Sequence, residues 1–139
     1  MKVFFDSNVI IDVFTNREQR HKYSVDLYRE VAAGRIIGCL SSKQITDIFY
    51  VLRKYVSSDD ERKEVIRILL ETFTIFPLLP SQLKFSLITD MKDYEDSILD
   101  QCCSTNCVNY LVTNNINDYV HSKSIAFTPK ELCNVLHLL

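Results

Sequence analysis

The sequence predicts an α/β domain in which helices cover both faces of a mainly parallel central sheet, a three-layer α/β/α arrangement. Its 139 residues are enough for one domain with its own core, and 47% of them are hydrophobic while 24% are charged. Short apolar runs alternate along the chain with longer stretches of helical periodicity, which is the pattern of this fold class. Because no repeat or Pro/Gly/Ser-rich linker interrupts the alternation, we expect residues 1–139 to form a single domain.

The predicted strands are five short runs of apolar, β-branched and aromatic residues. Most of these runs are unbroken, as expected of strands that are buried on both faces of a parallel sheet. In chain order they span residues 3–5, 36–40, 73–76, 110–113 and 125–127.

The predicted helices fill the intervals between these strands. Capping signals begin three of them, because Ser41 and Ser58 are each followed three residues later by Gln or Glu, and Thr128 is followed by Pro129. Apolar residues recur at helical spacing from residue 41 to 55 and again up to residue 73. Further helices are predicted over residues 8–14, 23–33 and 96–107.

Composition excludes several kinds of function. The chain has two glycines, Gly34 and Gly38, so it has no Walker-type phosphate loop, GxGxxG turn or GxSxG nucleophile elbow. A net charge of −2 argues against a general nucleic-acid coat or a polybasic membrane binder. It leaves room for an enzyme that meets nucleic acid through bound metal ions.

The cysteines and the hydropathy pattern predict a cytoplasmic protein without a membrane span. Five cysteines is an odd number, which favours free thiols in a reducing compartment, and we expect Cys102, Cys103 and Cys107 to be buried. The apolar run at residues 1–5 is too short for a secretory signal. No run approaches the ~20 apolar residues that a spanning helix needs.

Four aspartates lie close to the predicted ends of strands. Asp6 follows the first strand, and Asp118 follows the fourth. Asp96 begins the helix that leads into the fourth strand, and Asp47 lies in the first turns of the helix after the second. Ligands in open α/β sheets bind at the carboxyl ends of the strands. If the strands are parallel neighbours, three of these acids share one edge, and Asp47 lies about one helical turn beyond it.

Carboxylates gathered at one edge predict a cation. Two like charges ~4 Å apart repel by roughly 4 kcal/mol at an effective dielectric of about 20. All-oxygen ligand sets suit Mg²⁺ or Mn²⁺, which activate water and stabilise charge on a phosphodiester. A simpler interpretation stays open: Asp6 and Asp93 could be helix N-caps and Asp47 a solvated charge. Asp12 and Asp26, like the acids at 59–61, are interpreted as solvated or capping.

Segments in order along the chain resemble the motifs of the PIN-domain family. Residues 5–12 resemble its opening strand and Asp-x-Asn turn, and residues 41–54 resemble its second motif. Residues 93–96, followed by 111–119, resemble the third and fourth motifs, and 128–132 resemble the usual C-terminal strand and helix. The resemblance spans nearly the whole chain.

The resemblance implies a PIN-like fold and a nuclease that acts on RNA with Mg²⁺ or Mn²⁺, as in the toxins of many toxin–antitoxin pairs. A homodimer and an antitoxin partner are implied with it. The implied catalytic acids are Asp6, Asp47, Asp96 and Asp118, and metal binding falls chiefly on Asp6, Asp96 and Asp118. Asn8, Thr113 and Asn115 match polar positions of the family that would orient the acids or the water. Asp93 is expected to be a further supporting polar residue.

The chain also departs from the family pattern. Asp47 stands where Glu is usual, and Asn114 stands where Arg is usual, which removes a cation that could pair with phosphate. Asp100 is an extra acid, which we expect to be solvated. These departures support an alternative function, a non-catalytic PIN-fold module that binds RNA or a protein. A small phosphatase is a weaker alternative.

Two clusters of basic residues could contact a phosphate backbone, although solvated helix ends explain them equally simply. The first follows the first helix and the second closes the helix after the second strand. They consist of Arg17, Arg20, His21 and Lys22, and of Arg53 and Lys54.

Overall fold

The computed structural model describes residues 1–15 and 21–138, and these residues form one five-stranded sheet with helices on both faces. All the strand pairs are parallel, and the strands lie in the order β3-β2-β1-β4-β5. The predicted α/β class is therefore confirmed. The strands are β1 Lys2–Phe5, β2 Ile37–Ser41, β3 Thr74–Phe76, β4 Tyr110–Val112 and β5 Ala126–Phe127.

The described residues also form seven α-helices and one 3₁₀ turn. The helices are α1 Ser7–Thr15, α2 His21–Ala32, α3 Ser42–Leu52, α4 Asp59–Thr72, α5 Pro80–Phe85, α6 Tyr94–Thr105 and α7 Pro129–Val135. The 3₁₀ turn spans Ile116–Tyr119, between β4 and β5.

Each face of the sheet has its own hydrophobic core. Alternate residues of β1 point to opposite faces, so Val3 and Phe5 lie in one core and Phe4 lies in the other. The first core packs against α1 to α4 and α7, and the second packs against α6 and Tyr119. These two cores make the three layers that the sequence predicts.

The capping signals act as their spacing predicts. Ser41 forms a complete capping box with Gln44 at the start of α3, and Thr128 forms one with Glu131 at the start of α7. Ser58 accepts a hydrogen bond from the backbone N–H of Glu61 at the start of α4. These bonds satisfy backbone donors that have no partner within the helix.

The boundaries differ from the predicted ones by one to three residues. Phe73 is the C-cap of α4 rather than the first residue of a strand, and residues 53–55 form a turn rather than the end of α3. Helix α6 begins at Tyr94 because Asp93 caps it. The sequence analysis missed α5, because it exposes apolar side chains such as Phe85 and so lacks a clear apolar face.

Two aspartates that we expected at the surface are buried. Asp12 is 0% exposed and accepts a hydrogen bond from Asn114 Nδ2 at 2.7 Å. Asp100 is 2% exposed and accepts bonds from the backbone N–H groups of Lys123 and Ser124 at 3.0 and 3.1 Å. The solvated interpretation was wrong for both, because each carboxylate satisfies polar groups of a loop distant in sequence.

The prediction for the cysteines was right for two of three residues. Cys102 and Cys103 are buried free thiols on α6. Cys107 is exposed, because it lies past the end of α6, where the chain turns toward β4 with a backbone φ of 54°.

Two further predictions concern the first basic cluster and the absence of a membrane span. Arg17 and Arg20 of the first basic cluster lie outside the described residues. No helix within residues 1–15 and 21–138 is both long and apolar enough to cross a membrane.

The strand order creates one point at which the chain changes direction across the sheet. From β1 the chain proceeds to β2 and β3 on one side, and then returns to β4 on the other side of β1. In open α/β sheets the crevice at such a switch point, beyond the carboxyl ends of the strands, is where ligands bind.

Candidate active site

Asp6 lies at this switch point, directly after β1. Its side chain is 8% exposed, and its backbone N–H donates to the carbonyl of Val112 in β4. Three hydroxyl or amide groups lie around its Oδ2 atom: Thr113 Oγ1 at 2.8 Å, Asn8 Nδ2 at 3.3 Å and the Tyr119 hydroxyl at 3.5 Å. These contacts hold the carboxylate in one orientation.

Tyr119 brings Asp6 and Asp96 together. Its buried hydroxyl lies 3.5 Å from Asp6 Oδ2 and 3.4 Å from Asp96 Oδ1. A hydroxyl has one hydrogen to donate, so it can satisfy one of these carboxylates at a time. Asp6 comes from the end of β1 and Asp96 from the first turn of α6, on the opposite face from α1.

The surroundings disfavour the ionised form of both carboxyl groups. Burial raises the pKa of Asp6 above its ordinary value, although bonds from Thr113 and its other neighbours oppose that shift. Burial, followed by the charges of Asp93, Asp6 and Asp118, raises the pKa of Asp96 to about 6, while the hydrogen bond from Tyr119 opposes the shift. Among the described ion pairs, none neutralises Asp6 or Asp96.

Asp93 and Asp118 flank Asp96. Asp93 is the N-cap of α6, and its Oδ1 accepts the backbone N–H of Asp96 at 2.8 Å, so the capping interpretation was right for Asp93. Asp118 is an exposed residue of the 3₁₀ turn, and it lies close enough for its charge to raise the pKa of Asp96. Three of the four predicted acids therefore lie near one another at this edge of the sheet.

Asp47 lies on α3 at the same crevice, and its carboxylate is paired with a lysine side chain. Its Oδ2 forms an ion pair with Lys43 Nζ at 2.7 Å, and the same ammonium lies 3.9 Å from Glu95 Oε1. Asp47 lines a cavity with Asp6 and Asp96. Its contacts place it at the wall of the site rather than at the hydroxyl that joins the other two acids.

The polar residues predicted to support the acids play different parts. Thr113, which is buried, and Asn8 donate to Asp6, and Asn8 Oδ1 also accepts the backbone N–H of Asn114 at 3.2 Å. Asn115 exposes its side chain, and its backbone N–H donates to Thr113 Oγ1 at 3.0 Å. Asn114 contacts Asp12 and so joins the end of β4 to α1.

The cavity above the acids has a volume of about 350 Å³. Acidic side chains form one part of its lining, and apolar groups of α3 and α6 form another. The lining includes Asp6, Asp47, Asp96, Lys43, Tyr50 and Leu99.

The donor set fits a hard divalent cation, although the ligands are not gathered into a complete site. Carboxylate and hydroxyl oxygens are the ligands that Mg²⁺ and Mn²⁺ prefer. In the described part of the chain, no group of three His, Cys, Asp or Glu side chains is arranged to hold a metal ion. A cation held by Asp6 and Asp96 would offset the cost of burying both charged carboxylates and the repulsion that acts on Asp96.

The sequence analysis missed two residues of this site. Tyr119 follows Asp118 directly, and that adjacency at the end of a strand was the available signal. Gln44 was recognised as part of a capping box, but its Nε2 also donates to the carbonyl of Phe5 at 2.8 Å and to Ser7 Oγ at 3.2 Å. Gln44 therefore fixes the start of α3 against the end of β1, next to Asp6.

Comparison with known proteins agrees with the resemblance found in the sequence. The PIN domain family model matches residues 2–117. Ribonuclease VapC1 of Aquifex aeolicus (strain VF5) is 37% identical over 79 residues, which are 57% of this chain and 51% of that protein. The match thus spans about half the length of this curated relative.

Solved structures share the fold at low sequence identity. VapBC2 from Rickettsia felis, bound to a DNA fragment from its promoter, superposes with a TM-score of 0.68 at 14% identity, over 92% of this chain and 98% of that chain. A toxin–antitoxin complex from Klebsiella pneumoniae gives 0.66 at 20%, over 91% and 97%. VapC20 of Mycobacterium tuberculosis, a toxin that cleaves the sarcin–ricin loop, gives 0.63 at 9%, over 78% and 86%.

The family match covers most of the chain, and the parallel sheet, its strand order and the acids at its switch point agree with it. This chain therefore belongs to the PIN-domain family.

Proposed function

We propose that this protein is a metal-dependent endoribonuclease that hydrolyses phosphodiester bonds of RNA with Mg²⁺ or Mn²⁺. The observation that carries the proposal is the pair of carboxylates, Asp6 and Asp96, that meet at the Tyr119 hydroxyl without a described cation to neutralise them. The similarity to a ribonuclease over 79 residues supports the choice of RNA as substrate.

Asp6, Asp96 and Asp118 are the residues that would hold the metal, with Asp47 as the fourth acid of the site. A divalent ion bound by such oxygen ligands supplies Lewis-acid activation of water and neutralises charge on the phosphodiester. Asp118 is exposed and Asp47 is ion-paired with Lys43, so the buried Asp6 and the half-buried Asp96 contribute the least solvated part of the ligand set.

The other polar residues act on the acids rather than on the substrate. Thr113 and Asn8 donate to Asp6 and favour its ionised form, which is the form that binds metal. The Tyr119 hydroxyl fixes the positions of Asp6 and Asp96 relative to each other. Asp93 holds the backbone of Asp96 at the start of α6, and Asn115 restrains Thr113 through its backbone N–H.

RNA cleavage by the purified protein tests this proposal. We expect cleavage with Mg²⁺ or Mn²⁺ and none with EDTA. Asp6→Asn and Asp96→Asn should each lower activity by more than the roughly 10- to 100-fold typical of residues that only orient ligands. Asp26→Asn is the control, because Asp26 pairs with Arg29 on the exposed side of α2.

Cleavage that persists in Asp96→Asn would contradict the proposed site. RNA binding without cleavage, indifferent to chelator, would instead favour the non-catalytic module, which the ion pairing of Asp47 with Lys43 also suits.

A partner protein belongs to the same proposal. The solved relatives include a VapBC2 assembly and a toxin–antitoxin complex, so we propose that this chain is the toxin of such a pair and is restrained by an antitoxin. A homodimer remains a prediction of the family resemblance.

A further inference from the structure

Lys43 lies at an unfavourable position for a lysine. It belongs to the first turn of α3, where the positive end of the helix dipole disfavours a cation. Its ion-pair partner Asp47 follows four residues later, and a lysine before the acid is the less favourable order for such a pair on a helix. The stability of α3 therefore does not explain why a lysine stands at this position.

The Lys43 side chain is nevertheless held in place by two helices. It is 20% exposed, whereas Lys63, which also pairs with an aspartate of its own helix, is 67% exposed. The Lys43 ammonium group lies 2.7 Å from Asp47 Oδ2 and 3.9 Å from Glu95 Oε1. Glu95 belongs to the first turn of α6, so Lys43 connects the two helices that carry Asp47 and Asp96.

The charges around Lys43 indicate what its ammonium group does. Among the described residues that line the cavity at the candidate active site, Lys43 is the one basic residue, and the acidic ones are Asp6, Asp47, Glu95 and Asp96. A divalent cation that enters this cavity can meet Asp6 and Asp96 without displacing a described ion-pair partner. The carboxylate of Asp47, by contrast, is already neutralised by Lys43.

We propose that Lys43 is a built-in competitor of the metal ion: it holds Asp47 in an ion pair, and the metal binds that carboxylate only by displacing the ammonium group. This inference rests on the proposed function, because it concerns the fourth acid of the same site. A ligand binds more weakly when its binding-competent state, here the unpaired Asp47, is only partly populated. Lys43 therefore lowers the affinity for metal, and it does so through Asp47.

The dissociation constant for Mn²⁺, measured by isothermal titration calorimetry, tests this role without any RNA. Lys43→Met removes the ammonium group and keeps a long apolar side chain. It should bind Mn²⁺ roughly 2- to 5-fold more tightly than the wild type, which is the strength of a partly exposed ion pair expressed as a ratio of affinities. Lys43→Arg keeps a cation beside Asp47 and should keep the wild-type dissociation constant.

The same substitution in an Asp47→Asn background separates competition from simple charge repulsion. Removing any positive charge near the site would favour a cation, whether or not Asp47 binds it. If Lys43 acts through Asp47, Lys43→Met should tighten Mn²⁺ binding much less in Asp47→Asn than in the wild type. An equal tightening in both backgrounds would overturn the inference.

Lys63→Met is the matched control. Lys63 also pairs with an aspartate four residues away on its own helix, with its ammonium group 3.3 Å from Asp59 Oδ2, and neither residue lines this cavity. Lys63→Met should therefore bind Mn²⁺ as the wild type does. Thermal melts of the metal-free variants confirm that each is folded at the temperature of the titration.

The outcomes distinguish this inference from the proposed function. If the variants bind Mn²⁺ as expected but the wild type cleaves no RNA, the competition stands and the nuclease is contradicted. If the wild type cleaves RNA with Mn²⁺ but Lys43→Met binds the ion no more tightly, the competition is overturned and the nuclease stands. Failure of both the wild type and Lys43→Met to bind Mn²⁺ would also overturn the competition.

Discussion

Asp96 is the residue whose surroundings say most about the site. Burial and, after it, the negative charges of Asp93, Asp6 and Asp118 together raise its pKa from the ordinary 3.8 to about 6. A raised pKa in the folded state means that the ionised form of Asp96 destabilises the metal-free protein. A bound cation would stabilise the ionised carboxylates and so remove this destabilisation.

The stability of the metal-free protein should therefore depend on pH through Asp96. Between the unfolded pKa of 3.8 and the folded pKa of about 6, the folded state binds more protons than the unfolded state. The contribution of Asp96 to the unfolding free energy is thus largest below pH 3.8 and falls as pH rises to about 6. Because Asp96 is only half buried, screening by water reduces this contribution to the order of 1 kcal/mol.

Urea unfolding in EDTA at pH 4.5 and pH 7.5 measures the effect. We expect Asp96→Asn to be more stable than the wild type at pH 7.5 and close to it at pH 4.5. Carboxylates that do not interact with Asp96 titrate equally in both proteins, so the difference between the two reports Asp96 together with the acids whose charges act on it. The same difference at both pH values would contradict the prediction.

For single residues, the sequence indicated which acids belong to the site but not which side chains contact them. Asp6 and Asp96 could be recognised by their place beside strands, because local order is written in the sequence. Asp12 could not, because its partner Asn114 lies 102 residues away. The same holds for Tyr119, whose contact with Asp6 joins residues 113 apart.

Among the elements, α6 and the loop between β4 and β5 together build half of the site. Asp100 lies on α6 one turn after Asp96, and it accepts the backbone N–H groups of Lys123 and Ser124 in that loop. The loop also carries Asp118 and Tyr119. The buried Asp100 therefore ties the element that holds Asp96 to the segment that holds the groups near it.

A packing constraint between β2 and its neighbouring helices can be tested at Gly38. A Cβ added there would lie 2.7 Å from ring carbons of Phe73 and from Val31 Cγ1, which is closer than side chains approach one another. Gly38→Ala should lower the unfolding free energy by about 1–3 kcal/mol, the usual cost of overpacking a core. Urea unfolding measures it, with Ile37→Ala as the control, because Ile37 is 46% exposed. An unchanged midpoint in Gly38→Ala would show that the helices shift freely.

Elements with strong periodicity were predictable and the irregular ones were not. The five strands were found because each is a short apolar run, and α3 and α7 because their caps are explicit in the sequence. Helix α5 has six residues and several exposed apolar side chains, so neither length nor periodicity marks it.

Across the whole molecule, the strand order determines where the acids meet. Asp6 follows β1, and Thr113 follows β4, and the two residues are in hydrogen-bond contact although they are 107 positions apart in the sequence. The sequence predicted a parallel sheet and hence one shared edge, which is why three acids were expected together. That residues 1–139 form one domain remains a prediction, consistent with the single sheet of the described residues.

The direct test of the account is the melting temperature of the protein with and without Mn²⁺ or Mg²⁺. At about 100 times its dissociation constant the metal should stabilise the wild type by about 2.7 kcal/mol, a rise on the order of 10 °C. Asp6→Asn and Asp96→Asn should melt higher than the wild type without metal and respond less to it, while Asp26→Asn behaves as wild type. If metal leaves the wild-type melting temperature unchanged and both Asn variants match it, the acids do not form a cation site.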